Sequence, residues 1–262
     1  MARLHQRLRP ISSGLAGAAI LFVAACASPT TPTSPTASSS TAASTPAPTP
    51  APTPAPTPAP PVSPPAAATT RYRVTFQATW SASTHPVDFP GQAHFSPLIG
   101  GTHNSTVTFW REGLAASDGI RDMAERGLTL RLTDEVSAAI AAGTAERVVA
   151  GGGLSGGSGI VSTELEISQS FPLITLVTMI APSPDWFVGV SRLPLFENGQ
   201  WVDERRIDLV PWDAGTDHGV TFTSPDLPAT PPIGVAPIVT APLSPDGRVT
   251  SLGTFTFTRI GA

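Results

Sequence analysis

A single cysteine, Cys26, occurs in the 262 residues, so no intramolecular disulfide can form. Lysine is missing altogether: all 15 basic side chains are arginine, set against 19 acidic ones for a formal charge of −4. Charged residues make up only 13% of the chain and nowhere form a basic cluster. Nucleic-acid binding needs a positive footprint, so that class is set aside. Nor does any polybasic segment offer an electrostatic hold on anionic lipid. No apolar run reaches the ~20 residues that a spanning helix needs. With no disulfide to staple it, a folded region here must be held by apolar burial or by a metal ion.

What is present begins with a processing pattern. Arg3, Arg7 and Arg9 precede an apolar stretch, Ile11 to Ala25, which ends Val23-Ala24-Ala25-Cys26. A positive start, a short apolar run and small residues before a cysteine predict a signal peptide over 1–25 of the bacterial lipoprotein type. Cys26 is then the lipidation site, its thiol taking a diacylglycerol. An ordinary secretory signal with an incidental cysteine is the competing reading; Cys26 being the only cysteine favours acylation. Two or three acyl chains hold a protein stably on a membrane, where one does not. Cleavage removes three arginines and takes the formal charge to −7. The expected location is the cell envelope, lipid-anchored, with the folded part outside the cytoplasm and the membrane a partner through the anchor.

Residues 26–70 hold nearly half of the 30 prolines and repeat Thr-Pro-Ala-Pro from Thr45 to Pro60. Proline lacks the N–H that ladders need, and aromatic or β-branched apolar residues are nearly absent, so the segment cannot build a core. It reads as a polyproline II spacer, on the order of 100 Å when fully extended. Residues 71–262 are long enough for one sizeable core. Tyr72 to Trp80 alternates apolar and polar side chains as a half-buried strand does. Further strands are expected over Thr106–Trp110, Glu164–Ser168, Leu173–Ile180, Phe187–Pro194, Ile207–Val210 and Leu252–Arg259. Two short helices are expected, one from Ser117 to Gly127 and one capped by Thr133 with Asp134 and Glu135 in its first turn, stopping at Gly143. The fold class is all-β, an antiparallel β-sandwich with one or two short helices.

Two motifs tempt an enzymatic reading. Gly153-Leu154-Ser155-Gly156-Gly157 fits a nucleophile elbow, and Gly151 to Gly156 fits G-x-G-x-x-G. Both mechanisms require the motif to open a helix, yet Ile160 to Ile167 reads as a strand, so a loop between strands is expected. His85, His94 and His103 match no compact zinc spacing, and no cysteine can join them. The carboxylates carry more. Asp185 lies in a turn after the apolar run Leu173–Ile180, Asp213 and Asp217 bracket another turn, and Glu166 lies on a strand. Acidic groups crowded at one end of a sandwich repel unless a cation joins them, and Ca²⁺ suits carboxylates with backbone carbonyls; ordinary turn chemistry also favours Asp at such positions.

Several blocks resemble the spondin N-terminal domain family of the F-spondin and mindin type. They are Thr84-His85-Pro86-Val87-Asp88-Phe89-Pro90, His94-Phe95-Ser96-Pro97-Leu98-Ile99-Gly100-Gly101-Thr102-His103-Asn104, Trp110-Arg111-Glu112-Gly113 and Ala116-Ser117-Asp118-Gly119. The likeness is strongest in Pro182-Ser183-Pro184-Asp185-Trp186-Phe187-Val188-Gly189-Val190 and in Pro211-Trp212-Asp213-Ala214-Gly215-Thr216-Asp217-His218-Gly219-Val220. The blocks keep the family's order between Tyr72 and Thr240. The resemblance implies a C2-like sandwich, no enzymatic activity, and a calcium ion held by Asp185, Asp213, Asp217 and a glutamate. By its distance from Asp185 that glutamate is Glu166, with Glu164 as the fallback. The animal proteins carry cysteines and further modules that are missing here, so their matrix and integrin roles do not transfer.

The resulting expectation is a non-enzymatic, calcium-binding envelope lipoprotein that displays a binding or adhesion module to a surface protein or glycan. Its rivals are a structural envelope protein without a specific ligand and a metal-dependent hydrolase using the same acidic cluster.

Overall fold

The computed structural model describes residues 68–261. The expected signal peptide 1–25, the lipidation site Cys26 and the linker up to residue 67 lie outside the described residues. In chain order the elements are β1 (Thr69–Thr79), β2 (His94–Phe95), β3 (Ile99–His103), α1 (Asp118–Arg126), α2 (Leu130–Ala141), β4 (Ala145–Ala150), β5 (Ser158–Ser168), β6 (Leu173–Ala181) and β7 (Trp186–Pro194). Then follow β8 (Phe196–Glu197), β9 (Gln200–Trp201), β10 (Glu204–Asp208), β11 (Trp212–Asp213), β12 (Ala236–Pro237) and β13 (Gly253–Gly261).

Two antiparallel sheets face each other, one ordered β10-β13-β1-β5 and the other β12-β11-β7-β6-β3-β4, with β2 beside β6. β1 is buried at every second residue, Thr70 through Ala78, because only one face of its sheet is covered. Tyr72, Val74 and Phe76 of β1 and Phe255 and Phe257 of β13 pack there against Ile174, Leu176 and Ile180 of β6. β6 is buried on both faces, which explains its unbroken apolar run. Its other face, with Val177 and Met179, meets Ile120 and Met123 of α1 and Leu132 and Val136 of α2. The β-sandwich is therefore a three-layer arrangement, with two helices over the outer face of one sheet.

Some expected elements differ. Thr106–Trp110 is not a strand: its chain is fastened by the Arg192 guanidinium, which donates to the Ser105 and Val107 carbonyls at 3.0 and 2.9 Å. α2 starts at Leu130, three residues before the expected cap Thr133, and its first residue is preceded by Thr129 without a side-chain cap. The glycine-rich stretch 151–157 leads directly into β5 and opens no helix. β3 was not foreseen because Gly100 and Gly101 have low strand preference. They are required by space: a Cβ on Gly100 would lie 1.9 Å from the Thr175 carbonyl oxygen.

Candidate functional site

The end of the sandwich where β6 turns into β7 carries the acidic residues. Asp185 occupies that turn and is fully buried. One residue later β7 begins, and Trp186 pairs there with Asp213 of β11. The loop after β11 then folds back over Asp185. Gly215 adopts the left-handed φ of +72°, and a Cβ there would lie 2.4 Å from the Ile233 carbonyl oxygen.

Three donors converge on one oxygen. Asp185 Oδ2 accepts from the Thr216 amide at 2.7 Å, the Asp217 amide at 3.1 Å and the Thr216 hydroxyl at 3.2 Å. The Ala214 amide donates to the Asp185 carbonyl at 3.1 Å. Asp185 Oδ1, by contrast, is buried and meets no hydrogen-bond donor among the described residues. Asp213 Oδ1 takes the Gly215 amide at 2.7 Å, and Asp213 also accepts from the Trp186 indole. Asp217 is clamped at both oxygens, by the Gly219 amide at 2.6 Å and the Leu227 amide at 2.7 Å. The Thr216 and Asp217 amides thus fasten this loop to Asp185, while Asp213 and Asp217 are each held by amides of the loop itself.

Burial raises the Asp185 carboxyl to about 7, and the nearby Asp213 charge pushes the same way; the Thr216 and Asp217 amides pull it part of the way back. Burial also raises Asp213, against the pull of the Gly215 amide and the Trp186 indole, with Asp217 adding repulsion. No ion pair among the described residues reaches any of the three carboxylates. An unpaired oxygen in such a place accepts either a proton or a cation.

Glu166 is not brought to this site, which corrects the spacing argument. It lies on β5 and forms an ion pair with Arg147 of β4. Arg147 pairs with Thr102, and Thr102 with Ile174 at the start of β6. Asp185 follows Ala181 at the far end of β6, seven strand steps or roughly 23 Å away at ~3.3 Å per residue. Glu164 fares no better, since it bonds to Arg71 and Arg73. Sequence distance does not say which end of a strand a residue occupies relative to the next turn. Among the described residues no three acidic, histidine or cysteine side chains converge closely enough to chelate a metal unaided. A cation at Asp185 would draw its remaining oxygens from backbone carbonyls and water.

The three histidines that raised the zinc question also lie apart. His94 is exposed on β2, whereas His103 is buried on β3. His103 Nδ1–H donates to the Asn104 carbonyl at 2.8 Å, and Nε2 accepts from the Thr175 hydroxyl at 2.8 Å. Thr175 in turn accepts from the Arg192 amide at 3.1 Å. Burial holds His103 below its ordinary pKa, as this neutral, fully satisfied ring requires. The residues that spacing did not single out are Thr216 and Trp186, donors to the acidic trio; each sits inside a quoted motif block.

The Spondin_N family model matches residues 70–248. Human Spondin-2 is 39% identical over 165 residues, covering 62% of this chain and 50% of its own length. Mouse Spondin-1 is 36% identical over 177 residues, covering 64% of this chain and 22% of its own. Rat Spondin-1 is 35% identical over 174 residues with the same coverage. The chain therefore spans half the length of Spondin-2 and about a fifth of Spondin-1.

Proposed function

Because the chain belongs to the Spondin_N family, whose model takes in residues 70–248, we propose that it is a non-enzymatic, calcium-binding module for attachment to a surface protein or glycan. In this reading Cys26 carries the lipid that holds it at a cell envelope, with the domain outside the cytoplasm. No helix among the described residues is long and apolar enough to cross a membrane.

The observation that carries the calcium reading is Asp185 Oδ1, a buried carboxylate oxygen left without a donor while Oδ2 is used three times. Asp213 and Asp217 stand beside it, and each retains lone pairs beyond those taken by amides. Hard oxygen donors of this kind suit Ca²⁺. When bound, the ion would neutralise the charge that the three side chains now share without an arginine. Asp185 and Asp213 would be its side-chain ligands, with Asp217, whose oxygens also take the Gly219 and Leu227 amides, as a third.

Thermal melting tests this. Calcium at a hundred times its dissociation constant stabilises by about 2.7 kcal/mol, which raises Tm by roughly 5–11 °C for a domain of this size. Chelation is expected to remove that rise, and Asp185→Asn to abolish it. A melting temperature indifferent to both calcium and chelator would sink the calcium reading.

A further inference from the structure

The sandwich is closed along one side only. At the β4–β5 seam Thr163 Oγ1 donates to the Ala150 carbonyl at 2.9 Å, and Arg147 pairs with Glu166. On the opposite side β10 pairs with β13 alone. β7 is joined to β6 with a bulge at Ser191 and Arg192, the latter at a left-handed φ of +54°, but on its other edge it meets β11 only at Trp186 and Phe187. From Val188 to Leu193 that edge pairs with no strand among the described residues; at Pro194 the Arg205 guanidinium of β10 donates to the carbonyl at 2.9 Å.

A cleft of about 530 Å³ lies there. Its wall includes five consecutive residues of β7, Gly189 to Leu193, and two consecutive residues of β10, Ile207 and Asp208. Side chains along a strand alternate between its faces. Neighbours in sequence can therefore all border one cleft only where it runs along the backbone edge. The cleft is bounded by the free edges of both sheets.

Of the side chains around it, Ser191 and Arg192 are already engaged, by the Trp110 carbonyl and by residues 105–108, and the rest are open. Trp110 and Trp212, with ring centroids 5.2 Å apart, supply apolar surface. Arg111, Glu112 and Asp208 stand exposed at the rim, and their side chains make no hydrogen bond or ion pair among the described residues. A row of backbone donors and acceptors at strand spacing complements another strand, not a sugar ring or a compact metabolite. A second copy of this chain is a poor fit. The edge it would offer at β10 alternates exposed Glu204, Arg206 and Asp208, and charged edges of that kind oppose edge-to-edge pairing.

We infer that this cleft receives an extended segment of a partner protein, which adds as a strand to the free edge of β7. The segment would set an apolar residue against Trp110 and Trp212, and carry an acidic residue near Arg111 and a basic one near Glu112 and Asp208. The inference deepens the binding-module reading but makes no use of calcium, so its failure and that of the calcium site are separable.

The probe is an acetylated heptapeptide alternating valine with threonine, glutamate and lysine, added to the full chain in EDTA and, separately, in calcium. At about 1 mM, the scale of unoptimised peptide binding, it is expected to slow amide hydrogen exchange across residues 188–194 in both buffers. The same peptide N-methylated at alternate residues cannot complete the ladder and is expected to give no protection. Reversing two rim charges, Glu112→Arg with Asp208→Arg, is expected to weaken binding at least about threefold while Tm stays unchanged. Absence of protection over 188–194, or equal protection by the methylated peptide, overturns the inference. So does protection that rises with protein concentration alone and accompanies a dimer in sedimentation, since the occupant is then a second copy.

Discussion

Asp185 sits where a neutral carboxyl group is favoured over a carboxylate, because it is enclosed and its Oδ1 has no donor. Its pKa of about 7 in the folded protein lies above the ordinary 3.8. The native state therefore keeps a proton that the unfolded chain releases. The stabilisation from that proton is fully present below about pH 4 and lost as pH rises toward 7, on the order of 4 kcal/mol for a shift of this size. The raised Asp213 pKa acts in the same direction. In EDTA, wild-type Tm is expected to fall between pH 5 and pH 7.5, and Asp185→Asn to flatten that fall. The asparagine keeps an oxygen for the Thr216 and Asp217 donors and places an uncharged amide at the orphaned position. At pH 7.5 without calcium the variant should melt no lower than wild type. Identical pH slopes for the two proteins would remove Asp185 as the source. Asp185, Asp213 and Asp217 stood out in the sequence because each lies inside a recognisable block, although Asp213 ends strand β11 and Asp217 bridges to Pro228, so only Asp185 stands in a turn. Glu166 was placed wrongly, because its ion pair with Arg147 joins two sheets and depends on contacts between strands that spacing does not encode.

Helix α1 shows the same division at the scale of an element. Its caps are written locally: the Ser117 hydroxyl accepts from the Ile120 amide, and Gly127 takes a left-handed φ of +65°. The start of α2 is not, because Glu135 serves the neighbouring helix instead of its own first turn. Glu135 accepts from the Gly119 amide at 2.7 Å and the Ser117 hydroxyl at 2.7 Å, so it caps α1 from across the interface. Gly119 allows the approach: a Cβ there would lie 2.7 Å from Glu135 Oε2 and from Leu132 Cα. Glu135→Ala is expected to cost about 1–2 kcal/mol, the scale of a lost cap, and to lower Tm by a few degrees. Asp134→Ala, at an exposed neighbouring position, is expected to change Tm little. Equal losses in the two variants would place Glu135 in an ordinary first-turn role. Regular alternation made β1 legible, and an unbroken apolar run marked β6, since each pattern reports burial directly. β3 escaped because Gly100 and Gly101 carry no apolar side chain to form a pattern.

For the whole molecule, the folded part and the means of holding it are separate problems. Residues 68–261 bury two apolar clusters on either side of one sheet, and this burial stands in place of the disulfides that one cysteine cannot make. Holding the domain at a membrane would fall to Cys26 and the proline-rich segment after it. Cys26→Ser is expected to end incorporation of labelled fatty acid and to move the protein from the membrane fraction to the soluble one. Continued sedimentation with membranes by an unacylated Cys26→Ser protein would rule out the lipid anchor.

The sequence by itself determined the class of fold, the family, the five longest strands and both caps of α1. These follow from periodicity, turn chemistry and motif order, all of which act over a few residues. Only the tertiary structure decided that Glu166 lies at the opposite end of β6 from Asp185, that Glu135 caps α1, and that β7 leaves an edge open beside β10. Each of those depends on which strand or helix lies beside which. That choice is made by packing two sheets and a helical layer together, not by any single segment.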